Sequence, residues 1–335
     1  MSMAPRVSTA GSSPLRSLLQ SQGALLALVA VVTFGALRYD NFIGAQNVSD
    51  VLSNSSKFAL IAVGMAFVIM SGGIDLSVGT VAVLASVIAA RVSEHGIAAA
   101  VGAGLAIGVA AGTLNGVLIA RLRLMPFVVT LCTYIAARGA ALIVSGRETV
   151  SISYEQGFDA VGQGTFLALP IPVWVAAAVI SVGAFVLRST RFGRSVLAVG
   201  GNEEAARLMG LPVDQVKIGV YVLSGALAGL AGVILASQTS GSPTEGVGWE
   251  LIAIASVVVG GTLLTGGEGS IVNTVTGVLL LAVILNLINF ENGHTTGPHL
   301  TLGSHWQTIV RGLFLLAVIL LQSGLATSAR ADTSR

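Results

Sequence analysis

Long apolar runs alternate with short polar ones along nearly the whole chain, and the length of the runs predicts helices that cross a membrane. Runs at about 17–37, 57–71, 76–90, 97–120, 126–145, 170–187, 217–237, 250–264, 270–290 and 306–322 approach the roughly 20 residues a spanning helix needs. Two stretches are ambiguous. The region 57–90 reads either as one broken span or as two short passes, and so does 250–290. Charge decides between them, because Lys and Arg gather in cytoplasmic loops. With ten passes from a cytoplasmic N-terminus, Arg121, Arg123 and the cluster Arg188, Arg191, Arg194 and Arg207 all fall inside. The loop 146–169, with Glu148, Glu155 and Asp159, then falls outside, as do 238–249 and 291–305, which contain no Lys or Arg. Counting each ambiguous pair once reverses this, so ten passes with both termini cytoplasmic is the expectation. It divides the chain into a tail at 1–16, a polytopic transmembrane domain at 17–322 and a tail at 323–335.

Composition agrees with this picture. The chain has 335 residues, of which 54% are hydrophobic and 10% charged, and its mean hydropathy is +0.88. So little polar surface does not cover a water-soluble globule. The net charge of +2 comes mostly from scattered arginines, which read as topology markers and not as a nucleic-acid surface. Cys132 is the only cysteine, which excludes an internal disulfide and a Cys-rich metal site. The N-terminal stretch is Ser-rich with Arg6 and Arg16. Its apolar run is long for a signal peptide and lacks a small-x-small cleavage site, so it is expected to be retained as a span.

The two ambiguous regions resemble each other. "ALIAVGMAFVIMSGGIDLSVG" (59–79) aligns with "AIASVVVGGTLLTGGEGSIVN" (253–273), placing Ser71-Gly72-Gly73 over Thr265-Gly266-Gly267, with Asp75 or Glu268 just beyond. Paired Gly-interrupted apolar segments point, in transporters, to a site where broken helices meet. Chance similarity between Gly-rich apolar stretches is the competing explanation. A buried Asp75 is tolerable only where donors or water meet it, and Gly72 and Gly73 permit the irregular backbone that would supply them. Two readings stay open: Asp75 lines a pathway or gate with Glu268, or it only accepts amide hydrogens and holds a bend.

Other polar and small residues narrow the chemistry. Gly104, Gly108, Gly112 and Gly116 recur every four residues and form a smooth helix face for close packing. Asn115 beside them either faces the pathway or bonds to a neighbouring helix. Arg138 lies about two turns from the outer end of its helix, so it either reaches the headgroups or is matched by an acid or polar cavity. The only lysines, Lys57 and Lys217, follow no Gly-rich phosphate loop, so ATP hydrolysis is not expected in this chain. No zinc-protease or nucleophile-elbow motif occurs. His294, His299 and His305 share one loop, but their spacing fits no metal-ligand pattern, and no metal is expected.

The longest inside loop, about 188–216, contains good helix formers from Glu203 to Met209. Gly200, Gly201 and Asn202 precede them, and Gly210 and Pro212 follow as a stop. This predicts a short helix outside the membrane, either a solvated connector or a piece that docks into another protein.

"EAARLMG" (204–210) resembles the E-A-A-x-x-x-G loop of ABC importer membrane subunits. "GMAFVIMSGGIDLSVG" and "TRFGRSVLAVGGNEEAARLMGL" are similar to permeases of the ribose, xylose and arabinose type, and "AIASVVVGGTLLTGGEGS" with "LINFENG" looks closest to galactofuranose permeases. The resemblance runs from about Asn47 to the end of the last span. It implies an all-α integral membrane permease of about ten helices in the cell inner membrane, not itself an enzyme, that moves a monosaccharide inward by alternating access. It also implies a second permease subunit, an ATP-binding subunit using ATP and Mg on the cytoplasmic side, and a soluble sugar-binding protein outside. Glu203, Glu204, Ala205, Ala206, Arg207 and Gly210 match its coupling segment. The loop "ENGHTTGPHLTLGSHW" looks longer than usual for such permeases. Alternatives are an ion-coupled secondary transporter using Asp75 and Glu268, a permease for another solute such as a nucleoside, and a non-transporting scaffold, which the intramembrane polar groups disfavour.

Overall fold

Lipid offers no hydrogen bond to a backbone amide, so an apolar chain of this kind satisfies its backbone within helices. In a computed structural model that describes residues 14–293 and the isolated positions 309, 312 and 313, this is the result. The elements are α1 (Pro14–Arg38), α2 (Ala45–Met70), α3 (Val78–Val92), α4 (Ile97–Arg121), α5 (Pro126–Ser145), α6 (Ala160–Gln163), α7 (Ile171–Ser189), α8 (Arg191–Gly201), α9 (Glu203–Leu208), α10 (Val213–Gln238), α11 (Trp249–Val259) and α12 (Ile271–Gly293). A 3-10 turn, Ser93–His95, extends α3, and a two-residue hairpin pairs β1 (Thr165–Phe166) with β2 (Leu169–Pro170). Seven of the described helices are long and apolar enough to cross a membrane: α2, α3 with its extension, α4, α5, α7, α10 and α12. Nine of the ten expected runs coincide with helices. The tenth run, the histidine loop and the two tails beyond residues 14 and 293 lie outside the described residues, apart from the isolated positions named above.

The centre is built from α2 and α10. From Ala59 to Met70 every residue of α2 is buried, and α10 lies along α4, α3 and α2. On one side α5 rests on α3 and α4; on the other α12 packs between α1, α11 and α2. The tight pairing of α4 with α10 follows from glycine on both partners. A Cβ on Gly108 would sit 2.1 Å from the Gly225 carbonyl oxygen, one on Gly112 2.3 Å from that of Tyr221, and one on Gly225 2.2 Å from that of Gly108. Gly104 and Gly116 face Val233 and Ile218 in the same way. The expected stripe thus meets a second one on α10, and the two backbones touch.

Three boundaries depart from the hydropathy pattern. Helix α2 begins at Ala45, well before the apolar run, because its polar first half finds partners: Lys57 Nζ donates to Gln238 Oε1 at 2.9 Å and Asn47 exchanges bonds with Asn286. The stretch 240–248 descends beside α3, with Gly241 against Ala90 and Val87 and Gly246 against Val83 and Gly79. Helix α11 then continues inward, but its 11 residues span only about 16 Å, half a bilayer. This crossing is discontinuous.

The two breaks also match in a different register from the sequence alignment. Helix α2 ends with Gly73 N–H donating to the Val68 carbonyl at 3.0 Å and Gly72 at φ +84°. Helix α11 ends with Thr262 N–H donating to Val257 at 3.2 Å and Gly261 at φ +86°. Both are left-handed glycine terminations. Gly260-Gly261-Thr262 is therefore the counterpart of Ser71-Gly72-Gly73, and Gly266-Gly267 forms a further turn.

Candidate functional site

The short loop between α2 and α3 folds back into the protein and buries Asp75 completely enough that only 1% of it is exposed. A carboxylate there survives through donors from three directions. Ser77 gives its N–H at 3.0 Å and its hydroxyl at 2.6 Å to Oδ1, and Ser224 of α10 gives its hydroxyl at 2.9 Å to Oδ2. The Ser77 hydroxyl in turn accepts from Asn115 Nδ2 at 3.0 Å, and Asn115 Oδ1 accepts from Thr133 of α5 at 2.5 Å. Tyr221 adds a bond from its hydroxyl to the Ile74 carbonyl at 3.3 Å. The result is a buried polar thread tying the break to α4, α5 and α10, with Asn115 as one of its bridges.

Because Asn also accepts a backbone N–H at such a bend, Asp75→Asn is expected to cost about 1 kcal/mol or less, with the Ser224 hydroxyl turning to accept. Asp75→Leu leaves three buried donors without a partner and is expected to cost about 3 kcal/mol or more. Thermal unfolding of both variants in lipid nanodiscs measures the difference, and equal losses would contradict this account.

A second junction lies at the end of α2. A Cβ on Gly200 would fall 1.8 Å from the Met70 carbonyl oxygen and 2.7 Å from the Gly267 nitrogen. Gly267 N–H donates to that same Met70 oxygen at 3.0 Å, and Gly266 abuts the backbone of Gly72. The end of α8, the end of α2 and the loop after α11 thus meet backbone against backbone.

From Gly200 the chain passes directly into α9. Asn202 caps it, accepting from Ala205 N–H at 2.9 Å, and Glu203 and Glu204 occupy its first turn, where the helix dipole favours acids. Ala206 is fully buried, and Ala205 is half-buried. Arg207 bonds Asp214 at 2.8 Å and approaches Glu203 at 3.6 Å, while Lys217 holds Glu203 at 2.5 Å. The hydrogen bond that Arg207 donates to Asp214 holds its guanidinium above its already high range. Gly210 ends the helix at φ +80° with open space around it, so conformation and not crowding demands glycine there. Outward, Glu204, Leu208 and Met209 stand free, the last two 83% and 72% exposed.

The remaining candidates sit apart. Glu268 is exposed in the loop after α11, and Arg138 is on an exposed face of α5, with no ion pair among the described residues. The second deeply placed carboxylate is Glu250, in the first turn of α11. It is buried beside Gly79, and its Oε2 has no hydrogen-bond partner among the described residues. The sequence reading passed over Glu250 because it stands at the edge of an apolar run, not beside a glycine pair. Lys57 was also missed as a site residue, although a lysine opening an apolar run is itself a signal. Among the described residues no cluster of His, Cys, Asp and Glu could hold a metal.

The chain is similar to known permeases over most of its length. It is 38% identical to the ribose import permease protein RbsC of Escherichia coli K12 over 311 residues, covering 91% of this chain and 94% of that protein. It is 38% identical to the L-arabinose transport system permease protein AraH of the same strain over 329 residues, covering 94% and 95%. The RbsC of Bacillus subtilis 168 is 37% identical over 307 residues, covering 90% and 92%. No solved structure matches the chain. A model of the family described as the branched-chain amino acid transport system / permease component matches residues 47–319. That description agrees with the reading of the chain as a non-enzymatic, multi-pass membrane subunit. The crossing helices, the paired breaks and this match over most of the chain lead to one conclusion: it belongs to the branched-chain amino acid transport system / permease component family.

Proposed function

We propose that this chain is the translocating subunit of an ATP-driven importer for a monosaccharide, a pentose such as ribose or arabinose before a galactofuranose-like sugar. The observation that carries the reading is the path from α9 to the breaks. A small helix with an outward apolar tip is joined, through the backbone contacts of Gly200, to both α2 and the loop after α11. A partner that grips Leu208 and Met209 therefore moves the two discontinuous elements together. In this reading the α9 end faces the cytoplasm of a cell whose inner membrane holds the chain, with both termini on that side. An ATP-binding subunit supplies ATP and Mg chemistry there, and this chain itself needs no cofactor. A soluble sugar-binding protein delivers solute at the opposite end, and a second permease subunit completes the pathway across the domain at 17–322.

The breaks at Gly72 and Gly73 and Glu268 at the inner loop gate the inner part of that pathway, while the buried thread from Asp75 to Asn115 braces the first break from behind and Arg138, on the exposed face of α5, takes no part in that gate. Proteoliposomes containing this chain, its ATP-binding subunit and a sugar-binding protein are expected to accumulate ribose or arabinose only with ATP inside. Nucleoside uptake in place of sugar would move the substrate class. Uptake by the chain alone under a proton or sodium gradient would favour an ion-coupled carrier, a reading to which the buried Asp75 and Glu250 lend support.

A further inference from the structure

A slot of about 450 Å³ lies between α2, α11 and α12, at the end of the protein opposite α9. Its volume lies within the range of roughly 300–1,000 Å³ usual for small-molecule sites. The mouth carries four carboxamides and one carboxylate: Asn47, Asn54, Asn286, Asn289 and Asp50. The floor is apolar, made by Phe58, Ile252 and Val278, and lies about 16 Å of helix below Asn47.

Asparagine is a poor helix former, so four on the facing sides of two membrane helices require a reason. Helix pairing accounts for one pair: Asn47 and Asn286 exchange bonds at 3.1 and 2.9 Å. It leaves Asn54 and Asp50 outside that pair. Asn54 spends one hydrogen on the Asp50 carbonyl at 3.0 Å and Asp50 Oδ1 accepts from Gln46 at 3.0 Å. Each carboxamide nitrogen has two hydrogens and each carboxylate two oxygens. A second hydrogen therefore remains on Asn54 and on Asn286, and a second oxygen on Asp50. Planar groups that both donate and accept, above an aromatic ring, match a ligand bearing several hydroxyls. Among the described residues the one charged side chain lining the slot is Asp50, which repels an anion. Lys57 stands behind Asn54, its Nζ donating to Asn54 Oδ1 at 3.4 Å and to Gln238 Oε1 at 2.9 Å.

Resting on the importer reading above, we infer that this slot is a capture site for a neutral polyhydroxylated solute within each copy of the chain, closed below by Phe58 and Ile252. Ile252 stands on the short helix α11, and Phe58 packs edge-on against Trp249 of that helix at 5.0 Å between ring centroids. Movement of α11 would open the floor towards the buried Glu250.

Trp249 supplies the readout. In the full chain in nanodiscs, with Trp174→Phe and Trp306→Phe, D-ribose and L-arabinose are expected to change Trp249 fluorescence saturably. Val278→Trp is unsuitable beside a fluorescent reporter, so Val278→Phe fills the floor and Asn54→Leu removes a donor at the exposed mouth, where folding is least at risk. Each is expected to weaken binding about tenfold or more, the scale of losing one good buried contact. D-gluconate, an open-chain polyhydroxylated anion, is expected not to bind.

Native-like titration by both variants, or no saturable change with either sugar, overturns the site. Gluconate titrating as well as ribose overturns the neutral assignment. Sugar uptake by the complete importer, measured in parallel, keeps the two proposals apart. Uptake without a slot signal removes the slot alone, whereas a slot signal without ATP-driven uptake supports the slot and removes the importer reading.

Discussion

Gly108→Leu is expected to prevent α4 and α10 from closing on each other, with a loss of about 3 kcal/mol or more and little folded protein recovered from membranes. The first carbon of any side chain would lie 2.1 Å from the Gly225 carbonyl oxygen and 2.9 Å from the Gly229 nitrogen. Both obstacles are backbone, so no rotamer change relieves them. Even Gly108→Ala must push the helices apart and is expected to destabilise. The control is on the same helix. Gly102 has nothing within 4 Å of its missing Cβ, and Gly102→Ala is expected to be neutral or to stabilise by about 1 kcal/mol through helix propensity alone. Thermal unfolding in detergent followed by size-exclusion recovery distinguishes the two. The same sign for both alanine variants would show that the glycine stripe is not what sets the helix separation.

The double variant Leu208→Asp with Met209→Asp is expected to fold and insert normally but to lose at least about tenfold of the partner's ATPase stimulation by sugar-loaded binding protein. Leaving a large apolar side chain in water forgoes about 1.5–3 kcal/mol, and two adjacent ones at the end of a six-residue helix are accounted for by a surface that covers them. Neither side chain supports α9 itself; buried Ala206 and the Asn202 cap do that. Loss of stimulation with unchanged unfolding temperature therefore reports docking. Glu204→Leu tests the charged neighbour on the same exposed face, and Gly210→Leu tests the turn that aims the helix. Unimpaired stimulation in the double variant would remove α9 as the point of grip.

Gly200 offers a sharper view of transmission. Its backbone is wedged against Met70 and Gly267, so in the proposed importer a motion of α9 would reach both breaks without passing through a side chain. Backbone contacts of this kind are stiff, because packed interiors shift between discrete arrangements and do not deform continuously.

Much of this was legible in the sequence, for a physical reason. Period, length and charge are local properties, and a bilayer reads them directly. Within the described residues the apolar runs became helices, the glycines at 104, 108, 112 and 116 became a packing face, and the segment from Asn202 to Gly210 became a capped helix with a left-handed stop. Local chemistry also required that Asp75 find donors. What the sequence did not determine is who the partners are, because partnership is set by residues far apart in the chain. Nothing near Asp75 indicates Ser224, nothing near Lys57 indicates Gln238, and the polar half of α2 was invisible as a helix until α10 and α12 supplied its hydrogen bonds. The same reason explains the shifted repeat and the exchange of Glu268 for Glu250 as the second buried carboxylate. Two glycine pairs are equivalent as text, but only tertiary packing decides that the first ends α11 while the second wedges against α8.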